Sequence, residues 1–394
     1  MSTSKTPLRI ALIGARGIGA SYSGIETYYE EVGSRLVNYG HTVVVYCRPY
    51  FTPRNADFRG LTPIFVPCVR SKHGETFSHT LFSTLDVMRG SFDIVQFHAL
   101  GPALFSGLPR LRRMCTITSI QGLDWQREKW GKLARRFLQF CESVSYRFPD
   151  ATSVVSRTLQ QRYRERYGVE VTYIPNGVNL ETTPPPKEIR SLGLQGGDYF
   201  LFMGRISPEK GCKVMLDAFR SLGPGPMKLV VAGGSSYTDA YMHALQEGAP
   251  PGVIFPGRVG GRLRAELYGH AAAFLLPSTI EGLSVALLEA MSFGRCVLAS
   301  DIPENLELVK GVGWSFPARD PGSLAQLMRR AITSPDEAAA MGQLARRRVE
   351  TEYTWDQVAQ RTEGFYYEVL ERRRSISGRR TPAQSGVTSG LAAR

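Results

Sequence analysis

The chain has 394 residues, with 48 Lys and Arg against 35 Asp and Glu, a net charge of +13. Its 43% hydrophobic and 21% charged residues are a globular composition, which excludes wholesale disorder, and the length suits two to three ordinary domains. No apolar run reaches the roughly 18–20 residues of a membrane span, Met1–Pro7 is too short and polar for a secretory signal, and the six scattered cysteines include no C-x-x-C pair. The expectation is a soluble intracellular protein with reduced thiols.

In chain order, Leu8–Ile13 reads as a buried strand ending in a Gly-rich turn, Gly14-Ala15-Arg16-Gly17-Ile18-Gly19, and Gly24–Tyr39 as an amphipathic helix. A dinucleotide fingerprint starting at Gly17 would need its third glycine at Tyr22, and no P-loop is present, so a nicotinamide or P-loop site is excluded. What remains at Gly17 and Gly24 is either a tight turn alone or free backbone N–H groups that meet a phosphate or sugar oxygen. Short apolar strands follow at Thr42–Tyr46, Ile64–Val66, Asp93–Phe97, Cys115–Ile120, Ala151–Val155 and Val171–Ile174, alternating with helical segments, as in a parallel sheet covered on both faces. His98, just past a strand end, lines the cleft or makes only a structural bond. Residues 101–150 carry nine basic and four acidic groups. Arg110, Arg112, Arg113, Lys132, Arg135 and Arg136 stand there among Trp130, Leu133, Phe137 and Phe140, which suits an anionic membrane surface or a solvated basic helix face. No nucleic-acid-binding motif accompanies the charge.

Pro175-Asn176-Gly177 and the prolines of Thr182–Pro186 mark a linker, after which strands recur at Tyr199–Met203, Lys228–Ala232, Val253–Phe255, Ala272–Leu276 and Cys296–Ala299. Two Rossmann-like α/β domains are therefore predicted, 1–183 and 184–362, with a closing helix over 363–374 and a disordered basic tail over 375–394. In the second half, Gly204-Arg205-Ile206-Ser207-Pro208-Glu209-Lys210-Gly211 brings two cations to a turn before a helix, a natural seat for a diphosphate. Glu281-Gly282-Leu283-Ser284 is read as a helix start at Gly282, whose N–H groups hold phosphate oxygens, with Glu281 at the mouth and Glu289 about two turns on.

Together these residues resemble glycosyltransferase family 4 enzymes of the GT-B fold. Glu281–Glu289 looks like that family's E-x7-E motif, Met203–Gly211 like its diphosphate loop, and Ile174–Val178 like its interdomain segment. The stretch from Gly14 through Thr27 and Gly122-Leu123-Asp124-Trp125-Gln126-Arg127 to Gly131 is similar to a bacterial rhamnosyltransferase-like subgroup of surface polysaccharide assembly, with Ser23 and Gln121 departing from the usual glycine and His or Asp. The resemblance implies two domains facing across a cleft and retaining transfer from a nucleotide-diphosphate sugar to a saccharide acceptor that is lipid-linked, in exopolysaccharide, capsule or O-antigen assembly. It implies Arg205, Lys210 and Glu281 as catalytic groups, Gly17, Gly24, Gly204, Gly282, Leu283, Ser284 and Glu289 on the donor, and His98 and Asp124 on the acceptor side. No metal or other cofactor is expected, because no D-x-D occurs. A nucleotide-sugar epimerase and a non-catalytic nucleotide-sugar binder are the competing readings.

Overall fold

A computed structural model describes residues 6–19, 24–71, 74–127, 130–234 and 239–378. The first lobe runs β1 (Arg9–Ile13), α1 (Gly24–Asn38), β2 (Thr42–Cys47), β3 (Thr62–Phe65), α2 (Gly74–Val87), β4 (Ile94–His98), α3 (Leu100–Ala103), β5 (Cys115–Ile120), α4 (Lys132–Arg147), β6 (Ala151–Val154), α5 (Arg157–Tyr167) and β7 (Thr172–Tyr173). The second runs β8 (Tyr199–Met203), α6 (Cys212–Arg220), β9 (Lys228–Ala232), α7 (Asp239–Glu247), β10 (Val253–Gly257), α8 (Gly261–His270), β11 (Ala273–Leu276), α9 (Val285–Ser292), β12 (Val297–Ser300), α10 (Pro303–Val309), β13 (Trp314–Phe316), α11 (Pro321–Thr333) and α12 (Pro335–Glu352). A last helix, α13 (Trp355–Gly378), follows.

Runs such as Cys115–Ile120 are buried along their whole length, which a strand achieves only with helices on both faces. Two parallel sheets result, ordered β3-β2-β1-β4-β5-β6-β7 and β10-β9-β8-β11-β12-β13. Each reverses direction beside its own first strand: Ile10 pairs with Val43 on one side and Ile94 on the other. In such sheets the crevice opens beyond the carboxyl ends of the strands at that reversal. This is the two-lobed GT-B architecture that the resemblance implied.

The closing helix is longer than the 363–374 expected and leaves the second lobe earlier. The crossing lies at Thr354, which bridges Val178, and Trp355 already belongs to the first lobe's core with Val358 and Tyr366. An added Cβ on Gly177 would sit 2.8 Å from the Trp355 ring, so this crossing point accepts only glycine. Arg35 holds Asp356 at 2.6 Å and Tyr28 Oη lies 3.1 Å from Thr362 Oγ1, which fixes α13 on α1. The helix continues to Gly378, past the expected start of the tail, and residues 379–394 lie outside the described residues. Among the described residues no helix is long and apolar enough to cross a membrane.

Candidate functional site

The loop after β8 is held by backbone bonds onto the end of β9: Gly204 N–H donates to Ala232 at 3.0 Å and Ile206 N–H to Gly234 at 3.1 Å. A Cβ on Gly211, at φ +69°, would stand 2.1 Å from the Pro277 carbonyl oxygen. That close approach seats the 204–211 loop on the loop after β11, and Thr279 N–H donates to the Glu209 carbonyl at 2.8 Å to fasten the two. The Lys210 ammonium therefore meets Glu281, Nζ to Oε1 2.6 Å, with side chains 17% and 8% exposed. Arg205 is half-buried and its Nε has no hydrogen-bond partner. Burial and then the nearby Arg127 charge lower the Arg205 pKa, against Glu209, Glu281 and Asp124. A guanidinium with an orphaned buried donor is a group that an anion would satisfy.

The helix expected to start at Gly282 starts at Val285. Ser284 is its N-cap, accepting the Leu287 N–H at 3.3 Å, because a serine hydroxyl satisfies a free helix amide that glycine leaves open. Gly282 and Leu283 lie in the turn before it, and the Leu283 carbonyl accepts from Asn176 Nδ2 at 3.2 Å. Glu289 is already bonded at both oxygens, to Arg264 Nη1 at 3.0 Å and to Tyr268 Oη at 2.8 Å. Burial pushes its carboxyl pKa up, with Arg264 opposing. Neither Arg264 nor Tyr268 carries a sequence signal, since α8 contains no motif.

Across the cleft, Gly24 opens α1 directly opposite the start of α9: its added Cβ would touch Val285 at 3.5 Å. The amino-terminal ends of two helices, each the positive end of a helix dipole, thus approach each other across the lobes. Gly17 has a packing reason of its own, because a Cβ there would fall 2.0 Å from Thr52 Oγ1. Tyr22 and Ser23 lie outside the described residues. The loop after β5 lies on the second lobe so tightly that a Cβ on Gly282 would stand 1.8 Å from the Gln121 carbonyl oxygen. This loop carries Asp124, paired to Arg127 at 3.3 Å. Leu123 and Gln126 line a cavity of about 630 Å³ between the lobes, together with Glu281, Arg162, Gln161 and Glu304.

His98 does not line the acceptor face. It is fully buried at the end of β4, with ring centroids 5.0 Å from Tyr28 and 4.7 Å from Tyr29, and burial pushes its pKa to about 3. Burial likewise holds His79 at about 4. Both imidazoles take up protons on unfolding below their ordinary pKa near 6.5, so their contribution is complete above that pH and is lost as pH falls. The expected loss is about 1.4 kcal/mol per imidazole per pH unit. Urea unfolding at pH 7 and 5.5 checks this, and H79Q/H98Q, though less stable overall, shows a flatter dependence.

Residues 186–348 match the family described as Glycosyl transferases group 1, and residues 22–182 match Glycosyltransferase Family 4. An uncharacterized glycosyltransferase of Methanocaldococcus jannaschii is 24% identical over 88% of this chain and 95% of its own length. The O-antigen chain mannosyltransferase C of Escherichia coli is 23% identical over 75% of this chain and 81% of its own. Among solved structures, Anabaena HepE in complex with UDP-glucose superposes with a TM-score of 0.76 at 16% identity, over 93% of this chain and 100% of that one.

Proposed function

We propose that this glycosyltransferase, whose residues 22–182 and 186–348 match the Glycosyltransferase Family 4 and Glycosyl transferases group 1 families, moves a sugar from a nucleoside-diphosphate donor to a lipid-linked saccharide, with retention of configuration and without a metal ion. The observation that carries this reading is the Lys210–Glu281 pair, with the orphaned Nε of Arg205 on the same loop as Lys210 and the starts of α1 and α9 meeting across the lobes. As the bond from the sugar C1 to the β-phosphate oxygen breaks, negative charge grows on that oxygen. Arg205, Lys210 and the helix-end N–H groups supply the positive charge that a divalent ion would otherwise bring. Removing one such preorganised donor typically costs about 3–4 kcal/mol of transition-state stabilisation. The acceptor oxygen bonds to C1 on the face the diphosphate leaves, and its proton passes to the departing phosphate. Glu281, beside the cavity, accepts hydrogen bonds from donor-sugar hydroxyls, and Glu289, oriented by Arg264 and Tyr268, accepts from the ribose. Asp124 lies on the acceptor side.

A lipid-linked acceptor is supported by α4. Leu133, Phe137 and Phe140 lie at i, i+4 and i+7 on one stripe and are 83%, 43% and 55% exposed, flanked by exposed Arg136 and Arg147. The loop carrying Asp124 leads directly into this helix, so a membrane-held acceptor would reach the cleft from it. The rhamnosyltransferase-like subgroup and the likeness to an O-antigen mannosyltransferase favour surface polysaccharide assembly. The test is calorimetric binding of UDP, GDP and dTDP, then turnover of the corresponding sugars with a bacterial membrane extract, reading the product's anomeric configuration. One nucleoside diphosphate binds without added metal and release of it requires the extract; conversion of donor alone marks an epimerase, and binding without turnover a non-catalytic protein. Flotation with phosphatidylglycerol vesicles, lost in L133D/F137D and at high salt, checks the membrane arm.

A further inference from the structure

The loop Gly122–Arg127 belongs to the first lobe, yets its contacts hold it for the second. Trp125 Nε1 donates to Glu142 Oε2 at 2.8 Å, and Glu142, 1% exposed, also accepts from Arg162 Nε at 2.8 Å. The Arg162 guanidinium lies 5.4 Å over the Trp125 ring. A buried carboxylate is costly unless paired and hydrogen-bonded, and this one spends both oxygens on fixing Trp125 and α5. The consequence is positional: the residues around Trp125 are set, with Gln121 against Gly282 and Arg127 beside Arg205.

We propose that Arg127 is a second-lobe-facing phosphate ligand, which closes on the leaving diphosphate from the side opposite Arg205. Asp124 engages one nitrogen of the Arg127 fork and aims it; a guanidinium has five N–H donors, so further donors remain for phosphate oxygens. The neighbouring acids answer part of this charge. Glu281 is taken by Lys210, and Glu209, against its burial, feels both Arg205 and Arg127, whose charges help hold its carboxyl down. The remaining guanidinium donors stay available to phosphate oxygens. The Arg127 charge opposes that of Arg205 and one diphosphate satisfies both, which couples the approach of the two lobes to donor binding. Arg127 is then a catalytic residue in contact with the leaving group, and Trp125 and Glu142 are positioning residues that act through it.

The inference rests on the donor reading above, and its test separates the two. Calorimetry compares UDP, GDP and dTDP with the matching monophosphates for wild type, R127M and R127K. The expected result for the diphosphate that binds is a fall of about 10–100-fold in R127M, a monophosphate affinity changed less than about threefold, and partial recovery in R127K. W125F, which keeps an aromatic side chain and loses the N–H to Glu142, shifts the diphosphate-to-monophosphate ratio in the same direction by less; a purely structural role would lower the melting temperature and leave that ratio unchanged. Wild-type diphosphate affinity in a folded R127M overturns the role of Arg127 alone. A wild type that binds none of the three diphosphates overturns the donor reading and this inference together.

Discussion

Arg205→Met loses about two to three orders of magnitude in kcat while melting at the same temperature as the wild type or higher. The two halves of this result have one cause. Arg205 is half-buried with an orphaned Nε, and burial together with Arg127 works against its charge, so the folded apo protein gains little from it. Replacing a poorly compensated buried charge with an apolar side chain of similar length is often neutral or stabilising. The same cation is placed where charge develops as the diphosphate leaves, where one donor is worth about 3–4 kcal/mol. Lys210→Met behaves differently. It breaks the 2.6 Å pair with Glu281 and leaves a carboxylate that is 8% exposed without its cation, so turnover and stability fall together, the latter by about 2–3 kcal/mol. Differential scanning calorimetry and steady-state kinetics on both variants check the contrast; an R205M that melts well below wild type would make Arg205 a structural cation.

What could be read from the sequence was what is contiguous in it. The strand–turn–helix alternation gave both sheets because each strand's burial is written in its own residues, as in Thr42–Cys47. The diphosphate loop and the segment around Glu281 were legible as motifs, but their contact across 71 positions, Lys210 to Glu281, exists only once Gly211 is pressed onto Pro277. The start of α9 was misjudged by three residues because glycine and serine both open helices, and the serine hydroxyl that decides between them shows only in its bond to Leu287. His98 reads the same from sequence whether it faces the crevice or lies under α1; Tyr28 and Tyr29 cover it, and that is a tertiary fact. Arg127 was visible in its stretch without a role, since its neighbour Arg205 lies on the other lobe.

Gly282→Ala is expected to cost at least about a hundredfold in turnover although alanine suits the backbone there. The added methyl would stand 1.8 Å from the Gln121 carbonyl oxygen and 2.8 Å from its carbon. Both are backbone atoms of a loop clamped through Trp125 and Glu142, so neither a rotamer change nor a small loop shift relieves the clash. The remaining response is for the lobes to part by an ångström or more at this point. Each lobe keeps a core of its own, so the fold survives, but the cluster that joins Leu123 and Val154 to Leu283 and Leu308 across the lobes is loosened. Arg127 then withdraws from Arg205, and displacement by about 1 Å within a reacting constellation is enough for a loss near 10²-fold. Gly177→Ala is the control: its methyl meets the Trp355 ring at 2.8 Å, where the chain crosses between lobes, and overpacking there costs about 1–3 kcal/mol of stability. Small-angle scattering with the bound nucleoside diphosphate distinguishes them. G282A keeps a larger radius of gyration than wild type and G177A does not, and a G282A that turns over normally would mean that transfer does not need this contact closed.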